Sequence, residues 1–291
     1  MSKNFIQRPT CPLCRSAQKA ILFSENLAEG KVWSFLDDYY QGRIDRNDLA
    51  DARYEVARCL DCGFIWQTQI LGSELMDKLY NVWISPTASL AKKTNAGDSL
   101  FSGYAREARA ISSLLGKNPS ETNVLDFGMG WGYWCLAAKK LGYNISGFEI
   151  SKERVAFARE NGIRVIENFP DIAADQFDFI NAEQVFEHLP EPLETLRALM
   201  AALKKRGIIR ISVPNGRGIE KKLKRPDWKP AKNAIQPLEH INCFTHWTLI
   251  KMANLAGLKM GRQSFLPGSG AKGILKKYYQ RYFGTSLYFS R

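Results

Sequence analysis

The sequence predicts an α/β chain built on a mostly parallel sheet of seven strands, with a small metal-binding module ahead of it. Two observations carry this. From residue 124 onward short apolar strands alternate with amphipathic helices, a pattern that joins parallel strands through helical crossovers and covers the sheet on both faces. Upstream, Cys11-Pro-Leu-Cys14 and Cys59-Leu-Asp-Cys62 form two C-x-x-C pairs with the spacing of metal knuckles. With 291 residues, 45% hydrophobic and 24% charged, the chain can bury one large core and a satellite.

In chain order, residues 1–84 read as the small module. A two-residue spacer lets both thiolates of a pair bind one ion while the backbone turns, so Cys11, Cys14, Cys59 and Cys62 complete a tetrahedral, closed and therefore structural zinc site. Disulfides are disfavoured in a reducing compartment, and Cys135 and Cys243 stand alone as packing residues. The aromatic stretch 31–40 fills a small core, 64–68 is a ribbon strand and 73–80 a helix. Residues 85–97 read as a linker, and 98–115 as a helix before the first strand. Beyond it, helices are expected at 131–141, 152–160 with Ser151 as N-cap, 192–204 and 245–256. Strands are expected at 144–149, 163–166, 177–182, 207–213, 258–265 and 286–289.

The first strand of this series ends in V-L-D-F-G-M-G-W-G, residues 124–132, an acidic residue followed by three alternate glycines. Alternate glycines let the backbone turn off a buried strand and approach a ligand closer than side chains would allow, with a helix N-terminus behind. The second strand ends in Glu149, a carboxylate suited to accept both hydroxyl protons of a ribose. The spacing is not G-x-G-x-x-G, and no glycine-rich run ends in Gly-Lys-Ser/Thr, which excludes dehydrogenase and kinase readings.

D-F-G-M-G-W-G followed by F-E-I-S resembles the class I S-adenosylmethionine (SAM) methyltransferase family, over about residues 98–258. The resemblance implies a Rossmann-like methyltransferase sheet in domain 85–291, whose seventh strand enters antiparallel between the fifth and sixth. It implies a glycine loop against the methionine part of SAM and an acid on the ribose, hence a cofactor set of Asp126, Gly128, Gly130, Gly132, Glu149 and Gln184. The helix before the first strand would lid the cofactor, with Tyr104 lining it or packing in the core. After the fourth strand, Glu187-His-Leu-Pro-Glu-Pro192 is similar to the E-H-L-x-x-P stretch of methyltransferases acting on quinones, small metabolites and sugars. The N-P-P-Y or D-P-P-Y tetrapeptide of base N-methylation is missing there. Zinc-ribbon modules precede such domains in some sugar C-methyltransferases and in a ribosomal RNA guanine methyltransferase, but ligand spacing and C-terminal length depart from both.

The chain has three histidines. Transfer to a hydroxyl requires removal of its proton near neutral pH, which suits imidazole. His240 is the first candidate base and His188 the second, with Glu187 and Glu239 behind them; structural roles are the plain alternative, and His246 precedes a helix.

The formal charge is +12, with basic residues gathered at Lys221, Lys222, Lys224, Arg225, Lys229 and Lys232, and again at Lys272, Lys276, Lys277 and Arg281. Such a field attracts phosphates on nucleic acid, nucleotide-sugars or a membrane surface. Segment 215–237 reads as a mobile basic insertion, either a clamp for a phosphorylated, nucleotide- or lipid-linked sugar or an RNA groove with Trp228 stacking on a base, with a solvated loop that has no partner as the plain alternative. No apolar run spans a bilayer and no signal peptide is evident, so the expected address is cytoplasmic, with peripheral membrane contact compatible with the charge. The expected function is methyl transfer from SAM to a small-molecule or glycan-linked acceptor, a sugar hydroxyl or carbon in polysaccharide or secondary-metabolite biosynthesis. The alternatives are an RNA methyltransferase and a non-catalytic SAM- or zinc-dependent interaction protein.

Overall fold

The computed structural model describes residues 4–261 and 284–291. In chain order these form β1 (Phe5–Gln7), β2 (Lys19–Asn26), α1 (Gly30–Tyr39), β3 (Arg53–Cys59), β4 (Ile65–Gln67), β5 (Gln69–Leu71), α2 (Ser73–Lys78) and α3 (Pro86–Leu115). Next come β6 (Asn123–Phe127), α4 (Tyr133–Lys140), β7 (Asn144–Phe148), α5 (Lys152–Glu160), β8 (Arg164–Ile166), β9 (Phe177–Glu183), α6 (Pro192–Ala202) and β10 (Leu203–Pro214). The chain continues with α7 (Ile219–Leu223), β11 (Asn242–Cys243), α8 (His246–Leu255), β12 (Lys259–Met260) and β13 (Gly284–Ser290). The remainder of the expected strand 258–265, and the basic residues Lys272, Lys276, Lys277 and Arg281, lie outside the described residues.

The chain divides into two compact units. The second unit, Thr87–Phe186, Leu193–Val213 and Ala253–Arg291, holds a seven-stranded sheet in the order β12-β13-β10-β9-β6-β7-β8. Strands β6 to β10 pair in parallel, and the last strand, β13, runs antiparallel to β12 and lies between β12 and β10. This is the α/β methyltransferase sheet, with the expected reversal of its last strand. Strands β6 and β9 lie buried along most of their length, with Val124, Leu125, Phe179 and Ile180 almost wholly inaccessible and polar Asp126, Asp178 and Asn181 buried among them. Residues 86–97 are not a linker: α3 starts at Pro86, which is preset for a first helical turn, and runs through good helix formers. The helix is broken only at Gly97, where φ 48° and ψ −138° are not helical.

The first unit, Met1–Pro86, Glu187–Pro192 and Pro214–Met252, is discontinuous. The single boundary at 84/85 therefore gives way to a unit that recruits two later segments. Backbone pairing explains why: β11 adds to the sheet β11-β4-β3-β2 through Asn242 opposite Trp66 and Cys243 opposite Ile65. The buried Arg8 guanidinium donates to the carbonyls of Ile241 and Pro190 and to Asn242 Oδ1 (3.1, 3.0 and 2.7 Å), tying all three segments together. The stretch 31–40 does become core, as α1 buries Val32 and Leu36 and is followed by buried Tyr40.

Segment 215–237 is likewise not a free flap. Ile219, Leu223, Trp228, Ala234 and Ile235 belong to the same core as Tyr54 and Val56. Trp228 is 8% exposed, lies parallel to Tyr54 with ring centres 6.4 Å apart and packs 4.7 Å from Phe23, so it offers no face to a nucleobase. Its apolar residues anchor it, and Lys221, Lys222, Lys224, Arg225, Lys229 and Lys232 ride exposed on a packed segment.

Candidate cofactor loop, cysteine cluster and histidine pair

In the second unit the chain leaves β6 through Gly128, Gly130 and Gly132, with φ of 74°, 56° and 72°. All three occupy left-handed backbone, which side chains with a Cβ adopt at a cost. They are not equivalent. A Cβ on Gly128 would strike Val185 at 2.6 Å and one on Gly132 would strike Ile163 at 2.6 Å, whereas one on Gly130 would meet nothing within 4 Å. Two glycines thus serve close packing, and the middle one turns bare backbone toward open space. The amides of Gly128 and Met129 both donate to Phe148 O (2.9 and 3.0 Å), strapping the loop to the end of β7.

Glu149 follows β7, 7% exposed, and its carboxylate accepts from the amides of Gly130 (3.0 Å), Ile150 (2.9 Å) and Ser151 (3.0 Å). Arg154 lies 3.7 Å away. The loop and the acid are therefore one hydrogen-bonded body. Ser151 sits at the N-cap of α5, but its side chain makes no capping bond. Asp126 is buried beneath the loop and accepts from Asn181 Nδ2 (2.7 Å); Asn181 in turn accepts from Arg210 (2.6 Å). Burial pushes Asp126 up to about 7, against the opposing pull of the Asn181 bond. Gln184 lies exposed with φ 56°, its amide N–H donating to Ser212 O (2.8 Å). Trp131 donates through Nε1 to Ser89 of α3 (3.2 Å), and the Tyr104 hydroxyl accepts from Lys93 (3.0 Å). Asn181, Arg210 and Trp131 escaped the sequence reading because their roles depend on pairing across strands and helices; no local spacing marks them.

In the first unit Cys11, Cys14, Cys59 and Cys62 converge, every sulfur within 4.8 Å of the others. Cys11–Cys62 and Cys14–Cys59 sulfurs are 3.5 Å apart, far beyond a disulfide and close to the edge of about 3.8 Å that four thiolates at about 2.3 Å from zinc would have. The two knuckles are built alike: Arg15 N donates to Cys11 O (2.9 Å) and Gly63 N to Cys59 O (3.0 Å), with Arg15 and Gly63 both left-handed. Cys135 and Cys243 are buried in packing, as expected.

His188 and His240, 52 residues apart in sequence, are brought together in this same unit, ring centres 5.0 Å apart at 76°. Each ring is held through Nδ1 by a backbone carbonyl, His188 by Glu239 O (2.9 Å) and His240 by Asn233 O. Burial pulls His240 down to about 4, so it is neutral at pH 7 and a weak proton acceptor. The Glu239 carboxylate accepts from the Tyr40 hydroxyl (2.7 Å) and from Gln236, and burial raises its pKa. Glu187 is buried beside His188. Among the described residues no helix is long and apolar enough to cross a membrane.

Residues 102–263, more than half of the chain, match the family described as Methyltransferase domain. The chain belongs to this family. Residues 102–263 are a SAM-dependent methyltransferase domain of class I, a span that takes in segments 187–192 and 214–252 of the first unit as well as most of the second. The ubiquinone biosynthesis O-methyltransferase of Actinobacillus pleuropneumoniae is 28% identical over 153 residues, covering 48% of this chain and 62% of that protein. The protein of the same name from Xanthomonas axonopodis is 31% identical over 107 residues, covering 33% and 45%. The chain thus spans less than two thirds of the length of these curated relatives. Among solved structures, a SAM-dependent methyltransferase from Mesorhizobium loti superposes with a TM-score of 0.49 at 18% identity, covering 64% of this chain and 98% of that one. The 1,6-didemethyltoxoflavin-N1-methyltransferase of Burkholderia thailandensis gives 0.48 at 14% identity, covering 80% and 97%.

Proposed function

We propose that the protein transfers the methyl group of SAM to an oxygen of a small-molecule or glycan-linked acceptor, with a sugar hydroxyl the acceptor class to test first. The observation that carries the cofactor half is Gly130: bare left-handed backbone facing open space, joined by its amide to the Glu149 carboxylate. The loop would hold the methionine part of SAM, Glu149 the ribose, and Asp126 would brace the loop from below. SAM supplies a methyl group already activated on sulfonium. The protein's own work is then to bind, to align an incoming nucleophile and to dispose of its proton.

His188 and His240 are the residues we assign to that proton. Their rings are oriented by the carbonyl anchors, while burial, which pulls His240 down to about 4, leaves it a weak proton acceptor. Relatives named as O-methyltransferases support oxygen over nitrogen as the receiving atom. The rival RNA reading loses its stacking residue with the burial of Trp228, although the exposed lysines keep the surface basic. The four cysteines we assign to a structural zinc ion, on the strength of their near-tetrahedral sulfur spacing. A peripheral role at membranes and a cytoplasmic address accord with the charge and complete the proposal.

Methyl-labelled SAM incubated with the protein and with separate glycan, small-metabolite, lipid, RNA and protein fractions tests this reading. Label in the glycan or metabolite fraction is the expected result. Label confined to RNA would overturn the acceptor assignment, and SAM binding without label anywhere would indicate a non-catalytic binder.

A further inference from the structure

The short turn Phe186–His188 presents a carboxylate and an imidazole on consecutive residues, and His240 closes on them from a distant part of the sequence. One ligand-capable atom from each of Glu187, His188 and His240 lies within 4.8 Å of the other two. The Glu187 side chain is 1% exposed, and its Oε1 is 3.9 Å from His188 Nε2. That distance is too long for a hydrogen bond and near the ligand-to-ligand edge of about 3.4 Å expected around an ion bound at about 2.1 Å. Two imidazoles on one such ion have ring centres about 5 Å apart; these two are at 5.0 Å.

The hydrogen bonds point the same way. In both rings Nδ1–H donates to a backbone carbonyl, Glu239 O for His188 and Asn233 O for His240. Each bond fixes the tautomer with the lone pair on Nε2, the outer-shell arrangement that orients histidine ligands on metals.

We infer that Glu187, His188 and His240 form a second metal site, separate from the four-cysteine cluster, for a divalent transition-metal ion. Two nitrogens and one oxygen suit Zn²⁺, Fe²⁺, Co²⁺ or Ni²⁺ rather than Mg²⁺ or Ca²⁺, which prefer all-oxygen sets. Three protein ligands leave the ion open coordination positions, unlike the closed thiolate cluster. The ion's charge also offsets the cost of burying the Glu187 carboxylate. Occupancy of the site does not depend on the methyl-transfer reading. Its use does: with both Nε2 lone pairs on an ion, the histidines would serve that reading by holding the ion rather than as free bases.

The test is cobalt titration of the full chain after reduction and metal removal by chelator. Cobalt in the cysteine cluster gives a thiolate charge-transfer band; the expected result is uptake of an additional equivalent that adds no such intensity. His240→Ala and Glu187→Gln should abolish this second equivalent while keeping the thiolate band, which doubles as the sign that the unit is still folded. Should either variant lose the band, His188→Ala decides, because that side chain is 22% exposed and tolerates truncation. Cobalt uptake that only tracks the thiolate band in the wild type, or a second equivalent that survives His188→Ala with the band intact, would sink the proposal. Calorimetric SAM binding by the same samples reports on the cofactor assignment independently.

Discussion

The glycine loop after β6 and the paired cysteine knuckles both depend on left-handed backbone, yet they spend it differently. In the knuckles Arg15 and Gly63 close each turn so that four sulfurs face inward on one another. In the loop Gly130 turns backbone outward to open space, with Glu149 gripping its amide. On the proposed reading, one motif would close around an ion and the other leaves bare backbone open to a cofactor. On that reading the contrast separates groups that would hold the fold from groups that would hold a cofactor.

The largest expected effect lies on the knuckle side. Cys59→Ser should release the zinc and lower the melting temperature by more than about 10 °C, since structural zinc is folding free energy worth several kcal/mol; a zinc-free variant melting with the wild type would erase the contrast. On the loop side, Gly130→Leu should cost only about 1–2 kcal/mol of stability, because its Cβ meets nothing, while SAM affinity falls by about 100-fold, some 2.7 kcal/mol. Calorimetry beside thermal melts reads both, and a variant that loses stability but not affinity would make Gly130 a packing glycine like Gly128.

Asp126 gives an intermediate effect with a defined sign. Its folded pKa of about 7 lies above the unfolded value near 4, so the native state binds the extra proton between these limits. Its contribution is fully present at low pH and is lost as pH rises toward 7. Asp126→Asn keeps an acceptor for Asn181 and should flatten the decline in stability between pH 5 and 7, by ~4 kcal/mol at most. Unchanged pH dependence in chemical denaturation would show that Asp126 titrates normally. The smallest effect is Ser151→Ala: the side chain makes no capping bond, so stability should change by less than about 0.5 kcal/mol, against about 1 for a working cap.

What was legible in the sequence was local. The C-x-x-C pairs and the alternate glycines announce themselves because their chemistry needs fixed short spacings, and the strands of the large sheet because buried parallel strands are runs of apolar residues. What stayed hidden depends on partners far away in sequence. Trp228 looked like a stacking residue because its lysines are neighbours in the chain and Tyr54 is not. The meeting of His188 with His240 goes with the Asn242 side chain donating to Leu189 O (2.6 Å), and the buried relay Arg210–Asn181–Asp126 with the order of β10, β9 and β6. Pro86 and Gly97 bracket residues that read as a linker in sequence, and in the fold they start a helix and break one.

The pairing of β11 with β4 also bears on how the chain is made. Trp66 meets its partner Asn242 only after 176 further residues (242 − 66) have been translated. At roughly 5–20 residues per second, the N-terminal sheet leaves the ribosome with an open edge, lacking Ile235, Leu238 and Cys243 from its core, for on the order of ten seconds or more. The metal knuckles can close as soon as Cys62 emerges. An ion captured at that point would hold the nascent half-module in register while the whole intervening α/β layer is still being synthesised.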